Sequence, residues 1–171
     1  MSVNLSPTQL VNKGLLPAVL GALASSQLPP DRLELEITEA VLMQNSDVTL
    51  KVLHQLRSLG IRISMDDFGT GYSSLSYLRS FPFDKIKIDR CFIKGLGESS
   101  DAGAIVEAVA GLADSLRMTT TAEGVETREQ LDLVRQLGCT DVQGFFYSKP
   151  LPVEELERMF RVRLAKKAAA A

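Results

Sequence analysis

The sequence predicts an α/β fold built on a parallel sheet. Six short stretches rich in apolar and β-branched residues alternate with stretches that have the period of amphipathic helices. Successive strands begin roughly 30 residues apart, which is about the length of one βα unit. Alternation of this kind is typical of parallel sheets, because each strand needs a returning helix before the next strand can pair with it.

The six predicted strands are four or five residues long. They cover residues 2–6, 33–37, 61–65, 85–88, 118–122 and 140–143. The third strand is the most distinctive, because it ends on the adjacent carboxylates Asp66 and Asp67, which a Phe-Gly-Thr-Gly turn follows. Asp and Gly are common turn residues without any function. The pair therefore indicates a site only if other strands carry polar residues at the same place.

Helical patterns connect these strands. The predicted helices cover residues 8–25, 46–59, 72–79, 101–116, 127–137 and 152–164. Gly14 and Pro17 weaken the first helix, and Gly60 is suited to end the second. Thr127 and Gln130 have the spacing of a capping box. Residues 165–171, rich in Lys and Ala, are expected to form a disordered tail.

Composition narrows the possible partners. The 171 residues are 45% hydrophobic and 23% charged, with a net charge of −2. This balance is typical of one soluble globular domain and offers no basic surface for a nucleic acid polymer or a membrane. The sequence shows no leader pattern and no membrane-spanning apolar run, so we expect a cytoplasmic location. The two cysteines lack the spacing of a zinc site or a disulfide framework.

Polar side chains occur at the carboxyl end of every predicted strand. They are Asn4, Glu36, Asp66, Asp67, Lys87, Glu123 and Gln143, with Glu39, Asp89 and Glu126 just beyond. Because the carboxyl ends of parallel strands meet at one edge, we expect these groups to converge. Oxygen ligands without His or Cys favour Mg²⁺ or Mn²⁺, and paired metals suit phosphodiester hydrolysis. The simpler alternative, caps and surface charges, suits one strand better than six in succession.

The order of these motifs resembles the EAL domain, from residue 3 to about residue 159. The matching motifs are Val-Asn-Leu-Ser (3–6), Glu-Leu-Glu-Ile-Thr-Glu (34–39), Asp-Asp-Phe-Gly-Thr-Gly-Tyr-Ser-Ser-Leu (66–75), Lys-Ile-Asp-Arg (87–90), Ala-Glu-Gly-Val-Glu-Thr (122–127) and Gln-Gly-Phe (143–145). That family comprises bacterial phosphodiesterases that hydrolyse cyclic di-GMP to linear pGpG with Mg²⁺ or Mn²⁺ on a TIM-like barrel. The resemblance implies an incomplete (β/α) barrel over residues 1–164, with about six of the eight strands.

The resemblance also implies a role for each matched residue. The implied ligands of a first metal are Asn4, Glu36, Asp66 and Glu123, and Asp67 resembles a ligand of a second metal. Lys87 resembles the lysine that positions or activates the attacking water, Gln143 the glutamine near that water and the substrate, and Glu39 the glutamate that holds the 66–75 loop. The implied loop and substrate-binding positions are Phe68, Gly69, Thr70, Gly71, Ser73 and Glu126.

The chain departs from the family in one respect. The Glu-Ala-Leu motif that names the family, with an Arg two residues later, is absent, so one implied metal ligand and one substrate contact are missing. With six strands the sheet would not close, and we expect Val3, Leu5 and Val142 to lose barrel-lining partners. The chain would then be a fragment of a longer protein or a domain prone to association. The implied partners are cyclic di-GMP and a second copy, which would pair through the 66–75 region and the open barrel edges.

Three functions remain open at this point. The first is a cyclic di-GMP phosphodiesterase, weak or inactive as this lone chain because lost ligands commonly lower rates by orders of magnitude. The second is a degenerate EAL domain that binds the nucleotide or a protein without catalysis. The third is a doubly wound α/β domain of another function. Retention of Asp66, Asp67, Lys87 and Glu123 favours the first, and the missing strands favour the second.

Overall fold

Six parallel strands form a single sheet, in the computed structural model of the chain. The model describes residues 1–42, 46–69, 78, 80–97 and 100–169. The strands are β1 (Ser2–Asn4), β2 (Glu34–Thr38), β3 (Arg62–Phe68), β4 (Lys85–Ile88), β5 (Thr119–Glu123) and β6 (Asp141–Gln143). They lie in sequence order, every neighbouring pair is parallel, and the sheet curves into a half-barrel. The predicted fold class is confirmed.

Helices follow the strands, as the sequence patterns predict. In the described residues they are α1 (Pro7–Leu10), α2 (Leu15–Ser26), α3 (Glu39–Leu42), α4 (Ser46–Ser58), α5 (Arg90–Lys94), α6 (Ser100–Ser115), α7 (Arg128–Gln136) and α8 (Val153–Ala169). A single 3₁₀ turn, Pro30–Arg32, precedes β2. None of the described helices has both the length and the apolar character that crossing a membrane requires.

Several predicted bounds differ from the structure. The helix predicted over residues 8–25 is two helices, because the Asn12 side chain accepts a hydrogen bond from the Gly14 N–H (2.8 Å) and turns the chain between them. The last helix runs to Ala169, so residues 165–169 of the expected disordered tail are helical, as strong helix formers such as Ala and Lys favour. The helix predicted over residues 72–79 lies outside the described residues except for Leu78 and was not tested.

One side of the sheet, here called the outer face, is apolar and covered by helices. Successive strand residues point to opposite sides, and the residues on this side include Ile37, Ile63 and Ile86, all completely buried. The register places Val3 beside Leu35 and Val142 beside Ala122, which belong to the same side. The expectation that Val3, Leu5 and Val142 line the barrel interior is therefore wrong. By strand alternation they face the helices, and the buried Leu5 contributes to the helix-side core.

The opposite side, here called the inner face, is built from charged and polar residues. Lys85 on β4 lies 3.0 Å from Glu34 Oε2 on β2 and 3.4 Å from Asp141 Oδ2 on β6. The Ser2 hydroxyl on β1 donates to Glu34 Oε1 (3.3 Å). The two Lys85 contacts join alternate strands, and the Ser2 contact joins neighbouring ones. All lie at the amino-terminal end of the half-barrel, below the polar residues predicted to form the site.

Asp84 fastens the start of β4 to β3, and its removal provides a test of the fold. Its Oδ1 accepts from Arg57 Nε and Nη2 (3.1 and 2.9 Å), and its Oδ2 accepts from the Ile63 N–H (3.0 Å). We expect Asp84→Ala to lower the free energy of unfolding by about 1–3 kcal/mol, because a buried N–H loses its acceptor. Urea denaturation measures this change. Asp132→Ala removes an exposed ion pair with Arg128 and should change the free energy of unfolding little. An equal loss of stability in the two variants would contradict the structural role given to Asp84.

Candidate metal and catalytic site

Lys87 is the centre of a buried ion cluster on the inner face. Its Nζ lies 2.7 Å from Glu36 Oε2, 2.8 Å from Asp66 Oδ1 and 2.8 Å from Glu123 Oε1. Only 6% of the Lys87 side chain is exposed, against 8% for Glu36 and 16% for Glu123. The three carboxylates come from β2, β3 and β5, and the lysine comes from β4. The predicted convergence of strand-end residues is thus present in the structure for these four groups.

The backbone of β3 explains how two consecutive aspartates share one site. In a regular strand, adjacent side chains point to opposite faces. Here the pairing of β3 with β4 shifts register between Met65 and Phe68, and Asp67 has a left-handed φ of 55°. Asp tolerates this conformation better than most residues with a Cβ atom. The irregularity directs both carboxylates to the inner face, and β3 therefore continues through Asp66 and Asp67 where the sequence pattern predicted its end at Met65.

Asp66, Asp67 and Glu123 form a group that fits a divalent cation. One carboxylate oxygen from each lies within 4.8 Å of the others. Oxygen donors without nitrogen or sulfur are the ligands that Mg²⁺ and Mn²⁺ prefer. Glu36 is not a member of this group and contacts it through Lys87. Counting Glu36, the cluster has four carboxylates and one ammonium, which contacts three of them. Additional cations would offset the excess negative charge.

The electrostatics of the cluster follow from this unequal count. Burial alone would lower the pKa of Lys87, but hydrogen bonds to Asp66, Glu123 and Glu36 outweigh burial and raise that pKa. Burial raises the pKa of Glu123, and the charges of Asp66 and Glu36 add to the rise, whereas Lys87 lowers it. The pKa of both partners of this ion pair is thus raised, which favours the charged form of Lys87 and makes Glu123 easier to protonate than a free glutamate. Both directions are consistent with a single ammonium shared among three carboxylates.

Asp67 is affected by its neighbours in the same way. Burial raises its pKa, and the negative charges of Asp66 and Asp89 raise it further, while Lys87 lowers it. Asp89 itself caps α5 by accepting a hydrogen bond from the Cys91 N–H (2.8 Å). A hydrogen bond from the Cys91 side chain, and after it bonds from backbone N–H groups, lower the pKa of Asp89. Asp89 therefore stays charged close to the carboxylate group, an influence that its position one residue after β4 did not predict.

The remaining predicted residues lie around this group. Asn4 is next to Glu36 in the register of β1 with β2, and Gln143 is next to Glu123 in the register of β5 with β6. Glu39 is buried at the start of α3, Phe68 is buried at the end of β3, and Gly69 and Glu126 are exposed. The structure thus places Asn4 and Gln143 on the strands that flank the cluster. Thr70, Gly71 and Ser73 lie outside the described residues.

Lys85, Glu34 and Asp141 form a second ion layer that sequence reasoning missed. Glu34 precedes Glu36 by two residues, and Lys85 precedes Lys87 by two, so both pairs face the same side. Strict alternation in Glu-Leu-Glu and Lys-Ile-Lys was the signal that could have found it.

Comparison with known protein families shows which family the chain belongs to. The EAL domain family model matches residues 1–150 of the 171. The chain belongs to the EAL domain family. This membership confirms the resemblance drawn from the sequence.

The relatives are much longer proteins. The bifunctional diguanylate cyclase/cyclic di-GMP phosphodiesterase MucR of Pseudomonas aeruginosa is 46% identical over 156 residues, which are 91% of this chain and 23% of MucR. The cyclic di-GMP phosphodiesterase NbdA of the same organism is 44% identical over 161 residues, 94% of this chain and 21% of NbdA. The EAL domain thus spans about a fifth of the length of these curated relatives.

A solved structure of a relative supports the fold and contains a divalent cation. The structure of Klebsiella pneumoniae BlrP1 with manganese and cyclic di-GMP superposes with a TM-score of 0.82 at 36% identity, covering 87% of this chain and 38% of BlrP1. The ions and the nucleotide are those of BlrP1. In the present chain, the oxygen-only composition of Asp66, Asp67 and Glu123 is compatible with the same type of cation.

Proposed function

We propose that this EAL domain carries the metal-binding and catalytic residues of a phosphodiesterase that hydrolyses cyclic di-GMP to linear pGpG. The observation that carries the proposal is the group formed by Asp66, Asp67 and Glu123 beside the buried Lys87. A domain that only binds a nucleotide has no need for so much uncompensated negative charge, which would repel the phosphates of its ligand. Similarity to phosphodiesterases of 44–46% identity supports the same reaction.

In this proposal Asp66, Asp67 and Glu123 hold Mg²⁺ or Mn²⁺, and Glu36 and Asn4 complete the set from β2 and β1. When bound, such cations polarise a phosphoryl oxygen and make a nucleophile available at neutral pH. Lys87 directs its three N–H donors to Glu36, Asp66 and Glu123 and so holds these carboxylates at fixed positions. In this proposal Lys87 positions the attacking water, and a bond to that water replaces one of the three carboxylate contacts. Gln143, next to Glu123, contributes an amide that can bond to this water or to the substrate.

Two further expectations belong to the same proposal. We expect weak turnover by the 171 residues alone, because the resemblance assigns a metal ligand and an arginine to a Glu-Ala-Leu-x-Arg motif that they do not contain. We also expect self-association, through the 66–75 region and the edge strands β1 and β6. Exposed Phe145 and Phe160 in the segment after β6 are consistent with a surface that another chain covers.

The test is hydrolysis of cyclic di-GMP with Mn²⁺, followed by separation of linear pGpG from the substrate. We expect Glu36→Ala to abolish product formation, because it removes an acceptor of Lys87 and an implied ligand. Glu34→Ala is the matched control: it lies on the same strand and face, two residues earlier, and contacts Lys85. Equal turnover by the wild type and Glu36→Ala would contradict the assignment of Glu36 to the metal site. Nucleotide binding without any turnover by the wild type would favour the binding module.

A further inference from the structure

The short helix α5 lies between two segments that carry the carboxylate group. On one side, a Cβ atom placed on Gly69 would lie 2.9 Å from Cε2 of Phe92, so the Phe92 ring packs directly on the backbone of Gly69. On the other side, a Cβ atom on Gly124 would lie 2.6 Å from Cβ of Arg90. Both glycines have a positive φ, of 93° and 71°. Each segment therefore approaches α5 more closely than a residue with a side chain would permit.

Gln130 forms a third connection, at the other end of α5. Its Oε1 accepts from the backbone N–H groups of Glu126 (2.8 Å) and Thr127 (3.2 Å), and its Nε2 donates to the Ile93 carbonyl (3.4 Å). Ile93 is completely buried and anchors α5 in the core. One side chain thus joins the segment after β5 to α5, while it also completes the capping box of α7.

These contacts occur next to the carboxylates. Gly69 follows Asp67 by two residues, and Gly124 directly follows Glu123. Asp66, Asp67 and Glu123 approach within 4.8 Å of one another although like charges at this separation repel. Lys87 offsets the repulsion for Asp66 and Glu123 through direct contacts. The backbone that carries Asp67 and Glu123 sets how far apart their carboxylates lie, and α5 contacts that backbone on both sides.

We propose that Phe92 and Gln130 are positioning residues, which set the separation between Asp67 and Glu123 through α5. The inference rests on the proposed function for its catalytic meaning, since these carboxylates are the implied metal ligands. Phe92 acts on the β3 side through Gly69, and Gln130 acts on the β5 side through the N–H groups of Glu126 and Thr127. A change on either side is transmitted to the other because α5 is short and anchored by Ile93.

The experiment combines Mn²⁺ titration calorimetry with hydrogen exchange of the 171-residue chain. We expect Phe92→Ala and Gln130→Ala to weaken Mn²⁺ binding about 10–100-fold, as loss of a residue that orients ligands does elsewhere. We also expect Phe92→Ala to accelerate amide exchange in residues 123–127, and Gln130→Ala to accelerate it in residues 66–69. Leu16→Ala on α2 is the control, because Leu16 is likewise half-buried against the core but lies on a helix that follows β1, a strand without any of the three carboxylates.

The outcomes separate this inference from the proposed function. The coupling would be overturned if Phe92→Ala bound Mn²⁺ as tightly as Leu16→Ala, or if its amide exchange changed only in residues 66–69. A wild type that binds no Mn²⁺ would contradict the metal site of the proposed function. In that case the exchange measured across α5 still decides whether Phe92 and Gln130 connect the two segments.

Discussion

Lys87→Met is expected to lower the free energy of unfolding by about 3–5 kcal/mol, because it leaves buried carboxylates without their cation. Lys87 contacts Glu36, Asp66 and Glu123 at 2.7–2.8 Å, and methionine has a similar length but no charge. Chemical denaturation of the metal-free protein measures the loss. Lys51→Met, at an exposed position of α4, is the control and should leave stability nearly unchanged.

The loss of stability in Lys87→Met should depend on pH and on cations. The pKa of Glu123 is already raised in the folded state, and removal of Lys87 raises it further. When the pKa of a carboxyl is higher in the folded state than in the unfolded state, a rise in pH through that pKa favours unfolding. The loss of stability in Lys87→Met should therefore be smaller in mildly acidic buffer. In the wild type, the raised pKa of Lys87 keeps its contribution intact up to the ordinary lysine value of 10.5.

Added Mn²⁺ should stabilise Lys87→Met more than the wild type, because it replaces the lost charge and binds only the folded chain. A variant as stable as Lys51→Met at every pH, with no extra gain from Mn²⁺, would show that the cluster contributes nothing to folding.

Asp67→Asn should have opposite effects on function and on stability. Asn tolerates the left-handed φ of 55° as well as Asp does, so the substitution removes charge without straining the backbone. We expect Mn²⁺ affinity and Mn²⁺-dependent hydrolysis to fall at least about 100-fold, since even residues that only orient ligands contribute 10–100-fold. Burial, Asp66 and Asp89 raise the pKa of Asp67, so its loss should slightly raise the melting temperature of the metal-free protein.

Asp141→Asn is the matched control for Asp67→Asn. Asp141 is an inner-face carboxylate that contacts Lys85 rather than the cation group, so its substitution should leave Mn²⁺ affinity close to that of the wild type. Calorimetric titration of both variants with Mn²⁺ tests the expected loss of affinity, and thermal melting without metal tests the expected rise in melting temperature. An Asp67→Asn protein that binds Mn²⁺ normally, or that melts well below the wild type without metal, would contradict the assignment of Asp67.

The sequence predicted which strands exist and which residues lie at their ends. The run Lys85–Ile88 was located without error, because two Ile residues alternate with two Lys residues as in a strand with one buried face. Parallel order then placed Glu36, Asp66, Lys87 and Glu123 at one edge without knowledge of any contact. The capping box at Thr127 and Gln130 was confirmed for a similar reason, since its signal is local.

The features that the sequence did not predict depend on contacts between distant segments. The Asp66-Asp67 pair does not predict that Asp67 takes the left-handed conformation that directs both carboxylates to one face. An Asp pair occurs equally well in a turn. The packing of Phe92 on Gly69 connects residues that are adjacent only in the folded sheet. The polar inner face was also missed, because Val3 and Val142 were assigned to the interior on their apolar character and not by their register.

The positions of the four clustered residues along the chain have a consequence for folding kinetics. Lys87 is 51 residues from Glu36 and 21 from Asp66, and Glu123 comes from a later strand. Contacts between residues so far apart form only after the intervening loops have closed, which makes them slow to assemble. A partly folded chain that contains only β2 to β4 would have the lysine but lack Glu123. Cation binding by the complete group therefore reports that β5 has joined the sheet, and it can be used to time this step of folding.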